Sequence, residues 1–300
     1  MCDNCGCEKT DHFHVYPSSG VSHPHPDHHA HHAQHAHHAH HDPGPAHPHG
    51  HTHEPHAHEA AAGWHAHTAA DGSVSWHSHG GSGAQPILDA NQREAERNRG
   101  YFRARGILAL NLVSSPGSGK TTLLRATLER LQSRVGCAVV VGDLETQADA
   151  EALRPSGAPV VQITTGTVCH LDARMVAAAV DTLPKQGVQL LFIENVGNLV
   201  CPASFDLGEA HRIVLLAATE GENKPLKYPP IFHGARAVVI SKTDLTEPAG
   251  FDVASARQAI AQVAPDAEIL ELSSRTGEGL DAWIAFLERL LAPADFKEPV

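Results

Sequence analysis

Residues 114–122 read Ser-Ser-Pro-Gly-Ser-Gly-Lys-Thr-Thr and follow an apolar run at 107–113. They precede a helical pattern in which Leu123, Leu124, Thr127, Leu128 and Leu131 recur on one side. Strand, glycine loop and helix are the context in which backbone N–H groups cage phosphate oxygens. Gly117 and Gly119 let the backbone turn its donors inward, and the helix N-terminus adds the positive end of its dipole. Lys120 is spaced to reach the β- and γ-phosphates and Thr121 to ligate Mg²⁺, with Ser118 and Thr122 beside them. Ser114 stands where the usual G-x-x-x-x-G-K-[ST] has its first glycine. These residues predict a nucleoside-triphosphate site.

The later strand ends select the base. Residues 240–245, Ile-Ser-Lys-Thr-Asp-Leu, have the form of a guanine-recognition turn, usually N-K-x-D. Asp244 can accept from N1–H and from the N2 amino group of guanine, neither of which adenine offers. Such a mismatch is worth on the order of 3–7 kcal/mol. Lys242 belongs to the same turn, and Ser273-Ser274 to a loop whose backbone N–H can meet O6. Ser241 replaces the usual asparagine, which predicts reduced guanine affinity. Glu194-Asn195-Val196-Gly197 sits where a γ-phosphate-sensing D-x-x-G is expected. Asp143 ends a neighbouring strand and is the other carboxylate suited to Mg²⁺ or the attacking water. A solvated strand-end acid is the alternative reading of each.

Two thiol groupings point to metal. Cys169-His170, expected to open a helix over 170–183, and Cys201, four residues past Gly197, supply three ligands, one short of a closed tetrahedron. Cys2, Cys5 and Cys7 crowd three thiols into seven residues. Planar N/S geometry there would favour Ni²⁺ or Cu²⁺ and tetrahedral geometry Zn²⁺. From residue 11 to about 82 the chain is mostly His, Pro, Ala, Gly and Ser. It has too few aliphatic side chains to offset the entropy of ordering, so it is expected to be disordered. Its imidazoles would form a weak, multivalent sink for Ni, Zn, Cu or Co, the alternative being a solvated spacer.

The elements that must position these groups are legible in the same way. Of 300 residues, 23 of the 26 histidines lie before residue 80, and the formal charge divides into −7 over 1–84 and −5 over 85–300. No basic field exists for nucleic acid or anionic lipid. No apolar run approaches a membrane span, and no secretory leader is evident, so a cytoplasmic location is expected. In that compartment six cysteines mean metal or redox chemistry rather than a disulfide framework. Apolar strand runs at 137–141, 159–163, 188–193, 212–217, 237–240 and 268–272 alternate with helical patterns. That alternation predicts an α/β fold, a P-loop NTPase with a mostly parallel sheet covered by helices on both faces, with ligands at the carboxyl ends of the strands. The expected division is a cysteine motif at 1–10, a disordered histidine-rich region at 11–84, a charged linker helix at 85–105, a GTPase domain at 106–292 and a tail at 293–300.

Taken together, Cys2-x-x-Cys5-Gly6-Cys7, the histidine-rich stretch, the phosphate loop, 165–172 (TGTVCHLD), 194–202 (ENVGNLVCP) and 220–229 (EGENKPLKYP) resemble the HypB family of hydrogenase nickel-incorporation GTPases. These belong to the SIMIBI class of P-loop GTPases. The resemblance covers the first seven residues and 105–291. It implies nickel at Cys2, Cys5 and Cys7, and nickel or zinc at Cys169, His170 and Cys201 near a nucleotide-dependent homodimer interface. Mg²⁺-dependent hydrolysis of GTP to GDP is expected with Lys120, Asp143 and Glu194 as catalytic residues, and it should be slow because no arginine finger or glutamine is evident. The implied partners are the HypA nickel chaperone and the large subunit of [NiFe] hydrogenase. Ser241 and Arg275 depart from the usual guanine loops. The nickel GTPase of urease maturation is a related alternative, but its metal motif is Cys-Pro-His, and here Ala203 follows Cys201-Pro202. Cobalamin-type metallochaperones carry a C-x-C-C motif that is absent here. A chain serving chiefly as a nickel store would leave Lys120 and Asp244 unexplained.

Overall fold

The computed structural model describes residues 13–17, 64–68, 74–78, 84–131 and 134–292. Cys2, Cys5, Cys7, most of the histidine-rich region and the tail at 293–300 lie outside the described residues. In chain order the elements are β1 (His14–Pro17), β2 (Trp64–Thr68), β3 (Val74–Ser78), α1 (Ala84–Arg105), β4 (Leu108–Ser114), α2 (Lys120–Leu131), β5 (Cys137–Asp143) and α3 (Ala148–Leu153). There follow β6 (Val160–Thr164), α4 (Ala173–Thr182), β7 (Leu190–Glu194), β8 (His211–Ala217), α5 (Lys224–Lys227) and α6 (Pro229–Phe232). The remainder are β9 (Ala237–Ser241), α7 (Thr246–Ala249), α8 (Val253–Val263), β10 (Glu268–Glu271) and α9 (Leu280–Leu291).

One eight-stranded sheet runs β1-β6-β5-β7-β4-β8-β9-β10. Its last seven strands are parallel, as the unbroken apolar runs require. Along β4, Leu110 and Leu112 face α2 and α9, whereas Ala109 faces α1 and α4. That period of two puts core on both faces. On one side Leu123, Leu124, Leu128 and Leu131 of α2 meet Trp283, Phe286 and Leu287 of α9, all fully buried. Each such side chain contributes about 1.5–3 kcal/mol by leaving water. The phosphate loop is therefore held between a strand and a helix that are both anchored along their length.

One sequence expectation changes here, that of α1. Most of the stretch 11–84, expected to be disordered, lies outside the described residues, and its described parts are three short strands. β1 pairs antiparallel with β6, His14 opposite Thr164. The reason is local composition: Phe13 and Val15, among its few apolar residues, pack against the cluster of Ile163, Leu171 and Met175. The Arg174 guanidinium also lies 5.3 Å from the Phe13 ring centre. β2 and β3 form a separate antiparallel pair. The helix read as a charged linker is instead part of the packed domain. Asn91, Ala95, Asn98 and Phe102, spaced by three or four residues, form its buried stripe. Asn98 Nδ2 donates to the carbonyls of Ala173 (2.8 Å) and Leu207 (3.0 Å). Asn91 Oδ1 accepts from Ala173 N–H at 2.8 Å. Polar side chains on a charged-looking helix thus satisfy backbone groups of a distant segment, which periodicity of apolar residues does not reveal.

Candidate functional site

The loop after β4 takes positive φ at Gly117 (71°) and Gly119 (96°), conformations that side chains other than glycine rarely adopt. Ser114 does more than replace a glycine. Its hydroxyl accepts from Ser118 Oγ at 2.5 Å and from Lys120 Nζ at 2.9 Å, so it parks the lysine where a phosphate would later compete for it. Burial lowers the Lys120 pKa, while Glu194, Asp149, Glu220 and Asp143 oppose the shift. The ammonium is thereby only weakly hydrated and has few protein partners, which suits it to a polyanionic ligand.

Glu194, at the end of β7, accepts from Thr121 Oγ1 at 2.7 Å. Its other oxygen is buried without a hydrogen-bond partner. Burial raises its pKa to about 7, against the pull of Lys120 and the Thr121 hydroxyl. A buried carboxylate with one orphaned oxygen beside a threonine hydroxyl is the donor set a hard cation such as Mg²⁺ completes. Asp143 ends β5 on the same cleft, of about 440 Å³, that Lys120, Thr121, Glu194 and Gly197 line. One of its oxygens is engaged by Glu145 N–H (3.0 Å) and by Thr146 N–H (2.7 Å) and Oγ1 (3.1 Å). Gly197 lies against the phosphate loop so closely that a Cβ there would sit 2.8 Å from Pro116 Cα.

A second cavity, of about 210 Å³, is lined by Ser241, Lys242, Asp244, Ser273, Ser274 and Arg275. It shares Gly119, Thr122 and Lys242 with the first, so the phosphate and base regions are continuous. Lys242 adopts a left-handed conformation (φ 58°, ψ 42°) and its Nζ donates to the Gly117 carbonyl at 2.6 Å. Ser241 Oγ donates to the Ser118 carbonyl at 2.8 Å. Ser241 therefore ties the 240–245 turn to the phosphate loop. Asp244 accepts from Ser273 Oγ at 2.5 Å and pairs with Arg275 at 2.6 Å. The Ser273 hydrogen bond first, then the Arg275 charge, hold its carboxyl below the usual range, so it stands ionised to accept from a base edge.

Cys169, His170 and Cys201 converge, with one ligand atom from each lying within 4.8 Å of the others. The two Sγ atoms are 3.0 Å apart. Two sulfurs on a tetrahedral ion at ~2.3 Å stand about 3.8 Å apart, so less than about 1 Å of spreading seats a metal. His170 is fully buried and stacked on Phe205, ring centres 3.8 Å apart, and neither ring nitrogen has a hydrogen-bond partner. The Cys169 pKa is pulled well down, first by the Cys201 thiol and then by the His170 imidazole, favouring the thiolate that ligates. One expectation needs correction. Neither Cys169 nor His170 lies on a helix, because α4 starts at Ala173. Asp172 caps it by accepting from Met175 N–H at 2.7 Å, and this leaves the Cys-His pair on a loop free to turn both groups inward. Cys137, the other cysteine among the described residues, is buried, and burial raises its thiol to about 11.

The nucleotide and metal loops are joined by two asparagines that the sequence reading passed over. Asn195 Oδ1 accepts from Leu171 N–H (3.2 Å) and Val196 N–H (3.0 Å), and its Nδ2 donates to Asn111 Oδ1 at 3.3 Å. Asn198 Nδ2 donates to the Cys169 carbonyl at 3.3 Å, and its Oδ1 accepts from Val200 N–H at 2.9 Å. The E-N-V-G-N spacing was visible, but hydrogen bonds to backbone atoms carry no sequence signal at the far end.

Residues 108–271 match the family described as CobW/HypB/UreG, nucleotide-binding domain. The hydrogenase maturation factor HypB of Escherichia coli K12 is 54% identical over 202 residues, covering 67% of this chain and 70% of that protein. The chain belongs to the HypB family. The crystal structure of HypB from Archaeoglobus fulgidus superposes with a TM-score of 0.64 at 40% identity, covering 68% of this chain and 99% of that one. HypB from Helicobacter pylori, solved in complex with nickel, gives 0.64 at 41% identity and covers 67% and 95%. The matched span thus takes in the strands and loops of the phosphate cleft, while Ser273, Ser274 and Arg275 of the second cavity lie just past its end. Residues 165–172 and 194–202, which surround the Cys-His-Cys cluster, fall inside the matched span. No helix among the described residues is long and apolar enough to cross a membrane.

Proposed function

We propose that the protein is a Mg²⁺-dependent GTPase that carries nickel during maturation of [NiFe] hydrogenase. The observation carrying this reading is the joining of two sites by one loop. Glu194, Val196 and Gly197 face the phosphate cleft, and Asn198 and Cys201 continue into the Cys169-His170-Cys201 cluster. Nickel in a related HypB structure supports nickel as the cargo, with zinc as the competing ion at this cluster. Lys120 would leave Ser114 for the β- and γ-phosphates, and Asp244 would accept from guanine. Mg²⁺, held by Thr121 with Glu194, would neutralise phosphate charge. Asp143 would orient the attacking water. Because the Glu194–Gly197 loop packs on Pro116 and is tied to Leu171 and Cys169, GTP would order both loops and close a homodimer. Hydrolysis would release that arrangement and the metal.

In this reading Cys2, Cys5 and Cys7 form a second, tighter nickel site, and the histidine-rich region buffers nickel. HypA is the chaperone partner and the hydrogenase large subunit the recipient. Equilibrium dialysis of the purified chain against nickel, alongside GTP hydrolysis, tests it. Hydrolysis of GTP with no nickel bound at Cys169, His170 and Cys201 would reduce the protein to a GTPase without cargo.

A further inference from the structure

Asn91 and Asn98 lie two helical turns apart on the buried stripe of α1 that Ala95 and Phe102 complete. Apolar side chains at these positions would pack as Ala95 and Phe102 do, and burying an amide costs free energy unless it is hydrogen-bonded. Here each amide bridges the same two segments of chain. Asn91 Oδ1 accepts from Ala173 N–H at 2.8 Å, while its Nδ2 donates to the Asp206 carbonyl at 2.8 Å. Asn98 Nδ2 donates to the carbonyls of Ala173 at 2.8 Å and Leu207 at 3.0 Å. Arg99 adds the Glu209 carbonyl at 2.8 Å and the Asp206 carboxylate at 2.5 Å. Gly208 sits so close to α1 that a Cβ there would lie 2.5 Å from the Ala95 carbonyl oxygen.

The two bridged segments carry the metal cluster. His170 and Cys169 stand three and four residues before Ala173, and Cys201 stands five before Asp206. Phe205, on which His170 stacks, directly precedes Asp206. So short a tether gives each ligand only a small excursion from its clamp. From the nucleotide side the same loop is held by Asn195 at Leu171 N–H and by Asn198 at the Cys169 carbonyl. No residue of α1 lines either nucleotide cavity. We propose that Asn91 and Asn98 are positioning residues for the metal cluster. By tying Ala173 to Asp206 and Leu207, they set the separation between the loop bearing Cys169 and His170 and the loop bearing Cys201. With the α1 side fixed, a displacement of the Glu194–Cys201 loop changes the spacing of the ligands instead of carrying the whole cluster along. This role rests on the nickel reading of the cluster above and adds what sets its geometry.

The test titrates nickel chloride into the full-length chain with Cys2, Cys5 and Cys7 changed to Ala, following thiolate-to-nickel charge-transfer absorption. Residues 8–136 contain no cysteine, so the histidines there give no such band and compete for nickel equally in parent and variants. Cys137 is buried in the core. Calorimetric GDP affinity on the same preparations reads the nucleotide site. Asn98→Ala removes the donor to both segments and should weaken nickel binding by about tenfold or more, as outer-shell partners of metal ligands do, with GDP affinity unchanged. Asn91→Asp is the gentler variant. It keeps the oxygen that accepts from Ala173 N–H but replaces the donor to the Asp206 carbonyl, cutting the bridge while the start of α4 stays tied. It should weaken nickel in the same direction. Unchanged nickel affinity in both variants, with only a lower urea midpoint, would overturn the positioning role. Equal losses of nickel and GDP affinity would also overturn it, since α1 would then be a general prop of the domain. A parent that develops no band at all would mean the cluster takes no nickel, and the nickel reading would fail together with the role built on it.

Discussion

Changing Glu194 to Gln should shift the stability of the nucleotide-free protein in the variant's favour as pH rises. The carboxyl is buried, its Oε2 lacks a partner, and its pKa is raised from 4.5 to about 7. Between those values the folded chain holds a proton that the unfolded chain has released. Stability contributed by this group is therefore full below the unfolded value and falls as pH rises through the folded one. Linkage puts the loss at about 1 kcal/mol near pH 5.5 and about 3 kcal/mol near pH 8.5. The amide carries no such pH dependence, though its unpaired N–H groups cost about 1–3 kcal/mol at every pH. The difference between variant and parent should therefore grow by about 2 kcal/mol between the two pH values. Urea denaturation by far-UV circular dichroism, without nucleotide and with a chelator, measures this at each pH. A difference that stays constant would mean Glu194 is not the desolvated acid described here.

Asp244→Asn should weaken GTP far more than xanthosine triphosphate, whose C2 carbonyl can accept from the new amide; unchanged GTP preference in competition binding would remove Asp244 from the base site. Ser241→Ala should lose the bond to the Ser118 carbonyl, about 1 kcal/mol, seen as roughly fivefold weaker GDP binding by titration calorimetry. Gly197→Ala would drive a Cβ to 2.8 Å from Pro116 Cα, and overpacking of about 1–3 kcal/mol should slow GTP hydrolysis by about tenfold or more in a phosphate-release assay. With Cys2, Cys5 and Cys7 changed to Ala and residues 23–79 removed, nickel affinity at Cys169, His170 and Cys201 should differ by about 5–150-fold between GDP and a non-hydrolysable GTP analogue. Equal affinities, with Cys201→Ala abolishing binding, would leave the metal site without a switch.

The sequence by itself pointed to the phosphate loop, the turn at 240–245, the sheet class and the Cys169-His170-Cys201 group. Those features rest on local requirements: glycine for positive φ at 117 and 119, unbroken apolar runs for strands buried on two faces, and ligand chemistry for cysteine and histidine. Only the tertiary structure decided how they meet. That Cys169 and His170 leave the helix depends on a single cap at Asp172. That α1 is packed rather than a linker depends on Asn91 and Asn98 finding Ala173 some eighty residues away. Ser114 and Ser241 stand in sequence as departures from a pattern. In space each hydroxyl has a partner on the phosphate loop, Lys120 and the Ser118 carbonyl respectively. A side chain hydrogen-bonded to a distant backbone atom leaves no periodicity at either end, so such contacts become visible only once the chain has folded.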